Sequence, residues 1–420
     1  MKIAYVCNEY PPRLHGGVGT FVHTIARGMK DAGHSVTVVG FGEEPEVRDD
    51  AGVRVVTLRA STISKISWIV DRWRLHQWLA GEVLAGRIEV IEIPDYGGML
   101  PLPFHAGCKR GSEGSPVVVR LHLSETIIAN AEEMMPEGHA SNSVQGLTVS
   151  RIRLLDRITR IHQTGSRYVL AKCERATLKH HPNWIGVSKY ILGLTKQTFG
   201  LTPSRSEVIY YPVVAPPADS RCDIPLPQDF VLYAGTVSAR KGAYILAEAA
   251  RHFLPPHPEL HLVYVGRLVT EGGKRADTRI LEIVGNGLAK RIRFLGYVDR
   301  ATAIVCMRRA KAFAFPTTLE SFCLVAAEAM LAGVPVVVPD AGPFPEFVTQ
   351  EKTGLLVPAG DACAFAQAVL RLLESPSLRR HLAGNAQSLV KSRFTLEACI
   401  TGSERFYEET LEAGRARASC

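Results

Sequence analysis

One stretch restricts the fold of this chain more than any other. Residues Phe315 to Val348 read Phe-Pro-Thr-Thr-Leu-Glu-Ser-Phe-Cys-Leu-Val-Ala-Ala-Glu-Ala-Met-Leu-Ala-Gly-Val-Pro-Val-Val-Val-Pro-Asp-Ala-Gly-Pro-Phe-Pro-Glu-Phe-Val. The apolar run Ala312 to Phe315 predicts a buried strand stopped by Pro316. A polar loop, Thr317 to Ser321, leads into Leu324 to Leu331, whose Ala, Leu and Met recur at helical spacing up to a capping Gly333. A second apolar strand, Val334 to Val338, ends at Pro339 and Asp340. Loops leaving the carboxyl ends of parallel strands line a ligand crevice, and the following helix aims its amino-terminal N–H groups and dipole into it. Glu320 falls in that loop and Glu328 on that helix. The unit therefore offers amide donors for a diphosphate and two carboxylates for sugar hydroxyls. The bland alternative is that both glutamates merely complement a helix dipole.

The spacing of Glu320 and Glu328 within this frame of Pro, Phe, Gly-Val-Pro-Val-Val and Gly-x-x-x-Glu resembles the signature of glycosyltransferase family 4. These are retaining nucleotide-sugar transferases. The resemblance implies an α/β chain of GT-B fold, with two Rossmann-like domains whose parallel sheets face an interdomain cleft. In that family the first glutamate meets the donor sugar and the second the ribose.

A chain of 420 residues is too long for one ordinary core, and two domains of about 200 residues each are the natural expectation. Its 46% hydrophobic and 21% charged residues suffice for two α/β cores. A net charge of +8 and a pI near 9.0 favour anionic ligands or an anionic surface. Nucleic acid is not expected, since zinc-finger spacing, aromatic RNA-binding signatures and a basic tail are all missing from the sequence. Nine scattered Cys without a Cys-x-x-Cys pair suggest a reduced, cytoplasmic protein. The first apolar run is broken by Asn8 and Glu9, and no uncharged run reaches the ~20 residues of a membrane span. Peripheral contact with the inner membrane face stays open, as does the oligomeric state.

In chain order, Ile3 to Cys7 predicts a first strand, followed by Asn8-Glu9-Tyr10-Pro11-Pro12-Arg13-Leu14-His15-Gly16-Gly17. A helix with Phe21, Val22, Ile25, Ala26 and Met29 on one face and the strand Val36 to Val39 complete a Rossmann-like start. Gly16 and Gly17 sit where side chains would obstruct an anion at a helix N-terminus. The loop is not the Gly-x-Gly-x-x-Gly dinucleotide fingerprint. It resembles the family's Pro-Pro-x-x-Gly-Gly loop, which there approaches the distal phosphate. Strands Val53 to Leu58, Val90 to Ile93 and Val117 to Leu121 follow. Between the first two, Ile63 to Leu84 predicts an amphipathic helix packed on the sheet, or a basic-aromatic face for lipid or acceptor.

His122 stands at the carboxyl end of a predicted strand and matches the family's His, which holds the donor sugar from the wall opposite the glutamates. A long helix is expected from Arg151 to Arg175, rich in arginine. The strand Trp184 to Val187 and a last strand Val208 to Tyr211 follow it. Pro212, Pro216, Pro217, Pro225 and Pro227 mark a linker. The expected domains are 1–213, acceptor-binding, 214–394, nucleotide-sugar-binding, and a helix over 395–420 crossing back to the first. In the second half, strand Phe230 to Ala234 leads to Gly235-Thr236-Val237-Ser238-Ala239-Arg240-Lys241-Gly242 and a helix to Phe253. A Lys and an Arg at that place form a diphosphate clamp. Lys241 matches the family's Lys-Gly, but Thr236 stands where an Arg is usual, leaving Arg240 as its candidate replacement. Strands Leu262 to Val265 and Ile292 to Leu295 continue the sheet, and Tyr297 follows as a neighbour of the base. Asp361 is expected to cap a helix.

The resemblance thus implies His122, Lys241 and Glu320 as catalytic residues, and Gly16, Gly17, Arg240, Lys241, Tyr297, Phe322, Cys323, Leu324 and Glu328 as donor-binding. It implies a UDP- or GDP-sugar type of co-substrate, no cofactor and no metal. The acceptor would be a sugar, a lipid-linked molecule or a small molecule. Ser321 and Cys323 replace the usual glycines. Two rival readings remain, a non-catalytic nucleotide-sugar-binding protein and another GT-B enzyme such as an epimerase.

Overall fold

Short Val-, Ile- and aromatic-rich runs alternate with amphipathic stretches along this chain, and a parallel sheet with crossover helices is how such a pattern buries both. The computed structural model describes residues 1–12, 16–62, 67–104, 116–133, 167–215 and 224–418. The chain divides into two units, Met1–Tyr210 with Leu396–Cys420, and Tyr211–Thr395.

The first unit runs β1 (Lys2–Val6), α1 (Gly17–Asp31), β2 (Ser35–Gly42), β3 (Glu46–Asp50), β4 (Val53–Arg59), α2 (Ser67–Leu84), β5 (Val90–Pro94), β6 (Val117–Leu121) and α3 (Glu125–Glu133). It continues with α4 (167–180), β7 (Asn183–Gly186), α5 (Lys189–Phe199) and β8 (Arg205–Val208). Its eight strands lie in the order β3-β4-β2-β1-β5-β6-β7-β8. All neighbours are parallel except β3 against β4. From β1 the chain first winds towards β2 and later resumes on the other side at β5, so a topological switch point opens between β1 and β5.

The C-terminal helix, Leu396–Ala418, belongs to this unit and is anchored by a buried polar cluster. The Arg120 guanidinium on β6 donates through Nε and Nη2 to both oxygens of Glu92 on β5, each at 2.8 Å, and through Nη2 to Ser403 Oγ at 3.0 Å. Tyr407 Oη donates to Glu92 at 2.5 Å, and the Phe21 ring of α1 covers the guanidinium at 4.8 Å. Arg120 and Tyr407 are wholly buried and Glu92 nearly so. Charges taken this far from water are tolerated only in matched pairs.

The second unit runs β9 (Phe230–Ala234), α6 (Ala243–Phe253), β10 (His261–Val265), the hairpin β11 (Thr270–Glu271) and β12 (Lys274–Arg275), α7 (Ala276–Val284), α8 (Asn286–Ala289) and β13 (Ile292–Gly296). Then come α9 (Arg300–Arg309), β14 (Ala312–Ala314), α10 (Leu324–Ala332), β15 (Val336–Pro339), β16 (Leu355–Val357), α11 (Ala362–Glu374) and α12 (Pro376–Arg393). Six parallel strands take the order β13-β10-β9-β14-β15-β16, with the switch point between β9 and β14. At that point the loops after β9 and β14 touch. Gly242 has φ +74°, and a Cβ there would stand 1.9 Å from the Pro316 carbonyl oxygen. Only glycine fits, both for its backbone angle and for this approach.

Most predicted elements are found, with shifted ends. Gly333 caps α10 in the left-handed conformation, and the Asp361 carboxylate accepts from Ala364 N at the start of α11. The last strand of the first unit lies at Arg205–Val208 rather than Val208 to Tyr211. It is an edge strand that pairs only with β7, and its Arg205 and Glu207 bond to Glu409 and Arg405 of the C-terminal helix. Polar contacts of this kind leave no apolar run to read. The charged edge strand β3 and the hairpin β11–β12 escape sequence reading for the same reason. Of the helix expected at Arg151 to Arg175, residues 151–166 lie outside the described residues, and 167–180 are helical. On α2, Leu75 and Leu79 are buried, whereas Ile69 and Trp73 are 49% and 59% exposed, so the packed face is narrower than expected.

Replacing Arg120 by Met should leave the Glu92 carboxylate buried without its cation. We expect a loss of about 3–5 kcal/mol and a thermal midpoint for this unit lower by roughly 10 °C; an unchanged midpoint would show that the pair contributes nothing. In Gly242→Ala we expect about 3 kcal/mol of destabilisation from overlap and backbone strain, read as a drop in the urea midpoint of the second unit.

Candidate functional site

The carboxyl edge of the second sheet gathers most of the residues singled out from the sequence. Lys241 ends the loop after β9, Glu320 lies in the loop after β14, Tyr297 follows β13, and Glu328 sits on α10. Lys241 Nζ forms an ion pair with Glu320 Oε1, which also accepts from Thr317 Oγ1 at 3.2 Å. Arg240 donates from Nη1 to the Leu319 carbonyl at 3.4 Å, and its own carbonyl accepts from Thr318 N at 3.0 Å. The contact at Gly242 therefore holds a lysine, an arginine and a carboxylate in one small area. Thr236 has no charge to add, and its carbonyl accepts from Tyr233 Oη at 2.8 Å.

Glu328 is buried and pairs with a residue that sequence reading did not single out. Arg300, the first residue of α9, donates from Nε to Glu328 Oε1 at 2.5 Å and from Nη2 to the Val214 carbonyl at 2.6 Å. Burial raises the Glu328 carboxyl above its ordinary range, and Arg300 only partly offsets this. The signal missed was an arginine just after the Asp299 cap, whose side chain accepts from Thr302 N. Glu271 of the hairpin accepts from Ala239 N at 3.1 Å and Tyr244 Oη at 2.7 Å, bracing the loop that carries Arg240.

The backbone from Phe322 to Leu324 turns into α10 through Cys323, whose φ of +69° is one that glycine adopts without strain. That explains why glycine would suit this position. The Phe322 side chain is wholly buried among Tyr211, Phe347 and Phe394, with ring centroids 5.3–5.6 Å away, so only its backbone can face a ligand. Leu324 opens α10, and Tyr297 is 60% exposed.

In the first unit, Gly16 and Gly17 lie at the start of α1. A Cβ at Gly17 would meet nothing within 4 Å. The Gly16 amide donates to Glu9 Oε2 at 3.0 Å, so a carboxylate of the same loop occupies it. Among the described residues, therefore, no protein atom requires glycine at position 17.

His122, just past β6, packs its ring between Phe21 and Tyr96, with centroids 5.7 and 6.3 Å away. Burial, and then the charge of Arg120, hold its pKa well below the ordinary range, so the imidazole is neutral at pH 7. Behind it lies Asp95, fully buried at the end of β5. Its Oδ1 accepts from His122 N at 2.8 Å and Leu123 N at 3.3 Å, and burial pushes its carboxyl up to about 7. Leu123 holds a φ of +145°, a conformation costing of order 1–3 kcal/mol. The two amide bonds to Asp95, each about 1.5–3 kcal/mol when the carboxyl is ionised, oppose that cost.

A cavity of about 300 Å³ in the second unit lies elsewhere, lined by Asp229, His257 and Lys311 at the amino ends of strands. Ligand sites of parallel sheets form at the other edge, so its volume does not locate chemistry. Among the described residues no cluster of His, Cys, Asp or Glu is placed to hold a metal ion, and no helix is long and apolar enough to cross a membrane.

Comparison with known proteins accords with this geometry. Residues 15–214 match the model of Glycosyltransferase Family 4, and residues 219–389 that of Glycosyl transferases group 1. A phosphatidyl-myo-inositol mannosyltransferase of Mycobacterium leprae is 34% identical over 187 residues, 44% of this chain and 47% of that protein. The first curated relatives are matched over about half their length. Among solved structures, sucrose-phosphate synthase from Thermosynechococcus elongatus superposes with a TM-score of 0.73 at 22% identity, covering 98% of this chain and 99% of that one. Anabaena HepE in complex with UDP and glucose superposes with a TM-score of 0.66 at 19% identity, covering 96% and 98%. At such identities the shared property is the fold, two α/β domains of GT-B type. With its two family models matched in tandem, the chain belongs to glycosyltransferase family 4, the group 1 glycosyl transferases.

Proposed function

We propose that this chain transfers a sugar from a nucleotide diphosphate sugar to an acceptor hydroxyl, with retention of configuration and without a metal. The observation that carries this reading is the Lys241–Glu320 pair beside Arg240 at the switch point of the second sheet, with Glu328 on the adjoining helix. In the resting chain the cation and carboxylate satisfy each other. A bound donor would take both, its diphosphate oxygens drawing Lys241 and its sugar hydroxyls donating to Glu320. Ribose hydroxyls would approach Glu328 in competition with Arg300. Arg240, half-buried beside the same loop, is the cation near enough to stand in for the arginine missing at Thr236.

The chemistry then asks little covalent work of the protein. The bond from the anomeric carbon to the leaving phosphate oxygen breaks, and the acceptor oxygen bonds to that carbon on the same face. The departing phosphate takes the acceptor proton. Lys241, Arg240 and the amides around Phe322 to Leu324 would neutralise the charge growing on the diphosphate, which places the largest catalytic effect in preorganised electrostatics. A neutral His122 can exchange hydrogen bonds with a sugar hydroxyl where an imidazolium could only donate. HepE was crystallised with UDP and glucose, which supports a nucleotide-sugar donor here. The six described cysteines are free thiols, in keeping with a cytoplasmic site of action. Polysaccharide, lipid-linked and small-molecule acceptors all present the hydroxyl this reaction needs.

Thermal stabilisation against UDP-, GDP-, ADP- and dTDP-sugars, with EDTA present, tests the donor site. One nucleotide class should raise the midpoint by mass action, by about 2.7 kcal/mol of added stability at a hundred times its Kd. Silence across the whole panel would refute donor binding by the free enzyme. Glu320→Ala should lower transfer by about 100-fold or more with the fold intact by circular dichroism, and full transfer by that variant would remove Glu320 from the mechanism. Donor stabilisation without turnover on any acceptor would favour the non-catalytic binding protein instead.

A further inference from the structure

We propose that Asp95 is a positioning residue for the transfer reaction, holding the His122–Leu123 backbone so that the His122 imidazole is presented to the donor sugar. The inference rests on the transferase reading and concerns a residue that the chemistry of transfer does not otherwise use.

Three observations converge on Asp95. First, it lies in the loop after β5, which borders the switch point between β1 and β5 on one side and meets the end of β6 on the other. The lacing runs both ways, since Asp95 N donates to the Arg120 carbonyl at 3.1 Å while Asp95 Oδ1 receives the amides of His122 and Leu123. Second, the peptide so held is one that would not hold itself. The φ of +145° at Leu123 is a region that residues with a side chain avoid, and strain of this kind persists where neighbours impose it. Third, Asp95 is poorly explained as a stabilising residue. It is fully buried, its Oδ2 has no hydrogen-bond partner, and the nearby Tyr96 hydroxyl is likewise buried without one. An asparagine would offer the same acceptor oxygen without the desolvation of a carboxylate. What the carboxyl adds, in its ionised form, is stronger, charge-assisted acceptance from the two amides.

The far end of the same loop is pinned in the same manner. Glu174, on α4 and wholly buried, accepts from Gly97 N at 2.9 Å, Glu125 N at 3.0 Å and Thr126 N at 3.0 Å, and from the Thr126 hydroxyl. The segment from His122 to Thr126 is thus suspended between two buried carboxylates. The Phe21 and Tyr96 rings on either side leave the imidazole little freedom beyond what this backbone allows.

The test is a double-mutant cycle on the full chain, using the donor found by thermal stabilisation and an acceptor that supports turnover. Asp95→Ala should lower kcat by about 100-fold and Asp95→Asn by about tenfold, the scale of a misplaced contact group, with donor KM changed by less than about threefold. In a His122→Ala background each Asp95 substitution should cost no more than about twofold further, because its effect runs through that side chain. Hydrogen exchange supplies a reading independent of turnover: in Asp95→Asn the amides of His122 and Leu123 should exchange faster while those of Val118 and Val119 keep wild-type rates. If Asp95→Ala does not fold, the Asp95→Asn cycle and its exchange decide. Wild-type kcat in Asp95→Asn, a loss that multiplies with that of His122→Ala, or unchanged exchange at His122 and Leu123 overturns the positioning role while the transferase reading stands. A wild-type chain that turns over no donor overturns both.

Discussion

Parallel pairing is the constraint on which the rest of this structure depends. When every strand of a sheet runs the same way, every connection leaving its carboxyl end emerges on the same side, and crossover helices bury both faces. Apart from the antiparallel edge strand β3, both sheets obey this, and in each the winding reverses once, next to β1 in one sheet and next to β9 in the other. The residues proposed for the chemistry come largely from the loops beside those reversals. Lys241 and Glu320 are far apart in sequence, yet neighbours because β9 and β14 are adjacent strands. Asp95 and His122 meet because β5 and β6 are.

The charges in these loops are stored as pairs. Lys241 with Glu320 and Arg300 with Glu328 are ion pairs in partly dry surroundings, where an unpartnered carboxylate would be costly. A binding site built this way has its donors and acceptors already desolvated and oriented, and a ligand bearing both phosphate and hydroxyl groups exchanges one set of partners for another. The pair formed by Arg120 and Glu92 works differently. It is sealed between sheet and helix, and it ties the C-terminal helix to β5 and β6, while its positive charge adds to the burial that keeps His122 neutral.

Much of the arrangement was legible in the residues themselves. Short apolar runs ended by Pro, Gly or Asp located most strands, since a fully buried parallel strand has little choice of composition. The frame around Glu320 and Glu328 was readable because a strand, a loop and a helix N-terminus follow each other without interruption. Less could be read where a side chain's partner is distant. Nothing around Arg300 announces that it reaches Glu328, and nothing in Pro-Asp-Tyr announces that Asp95 holds the amides after another strand. The edge strands β3 and β8 escaped because their stabilising partners are charges and not a buried face. At Gly17 no described protein atom stands near a Cβ, since two glycines in a row state what is permitted, not what is required.

The sequence by itself determined most of the elements, their assembly into two α/β units and the family, all of which follow from local patterns of burial, turns and spacing. Tertiary structure alone decided which charges neutralise which, that Gly242 must be glycine because a carbonyl stands against it, and that Asp95 lies behind His122. Those facts depend on strand order, and strand order brings together residues between which the chain carries no local signal.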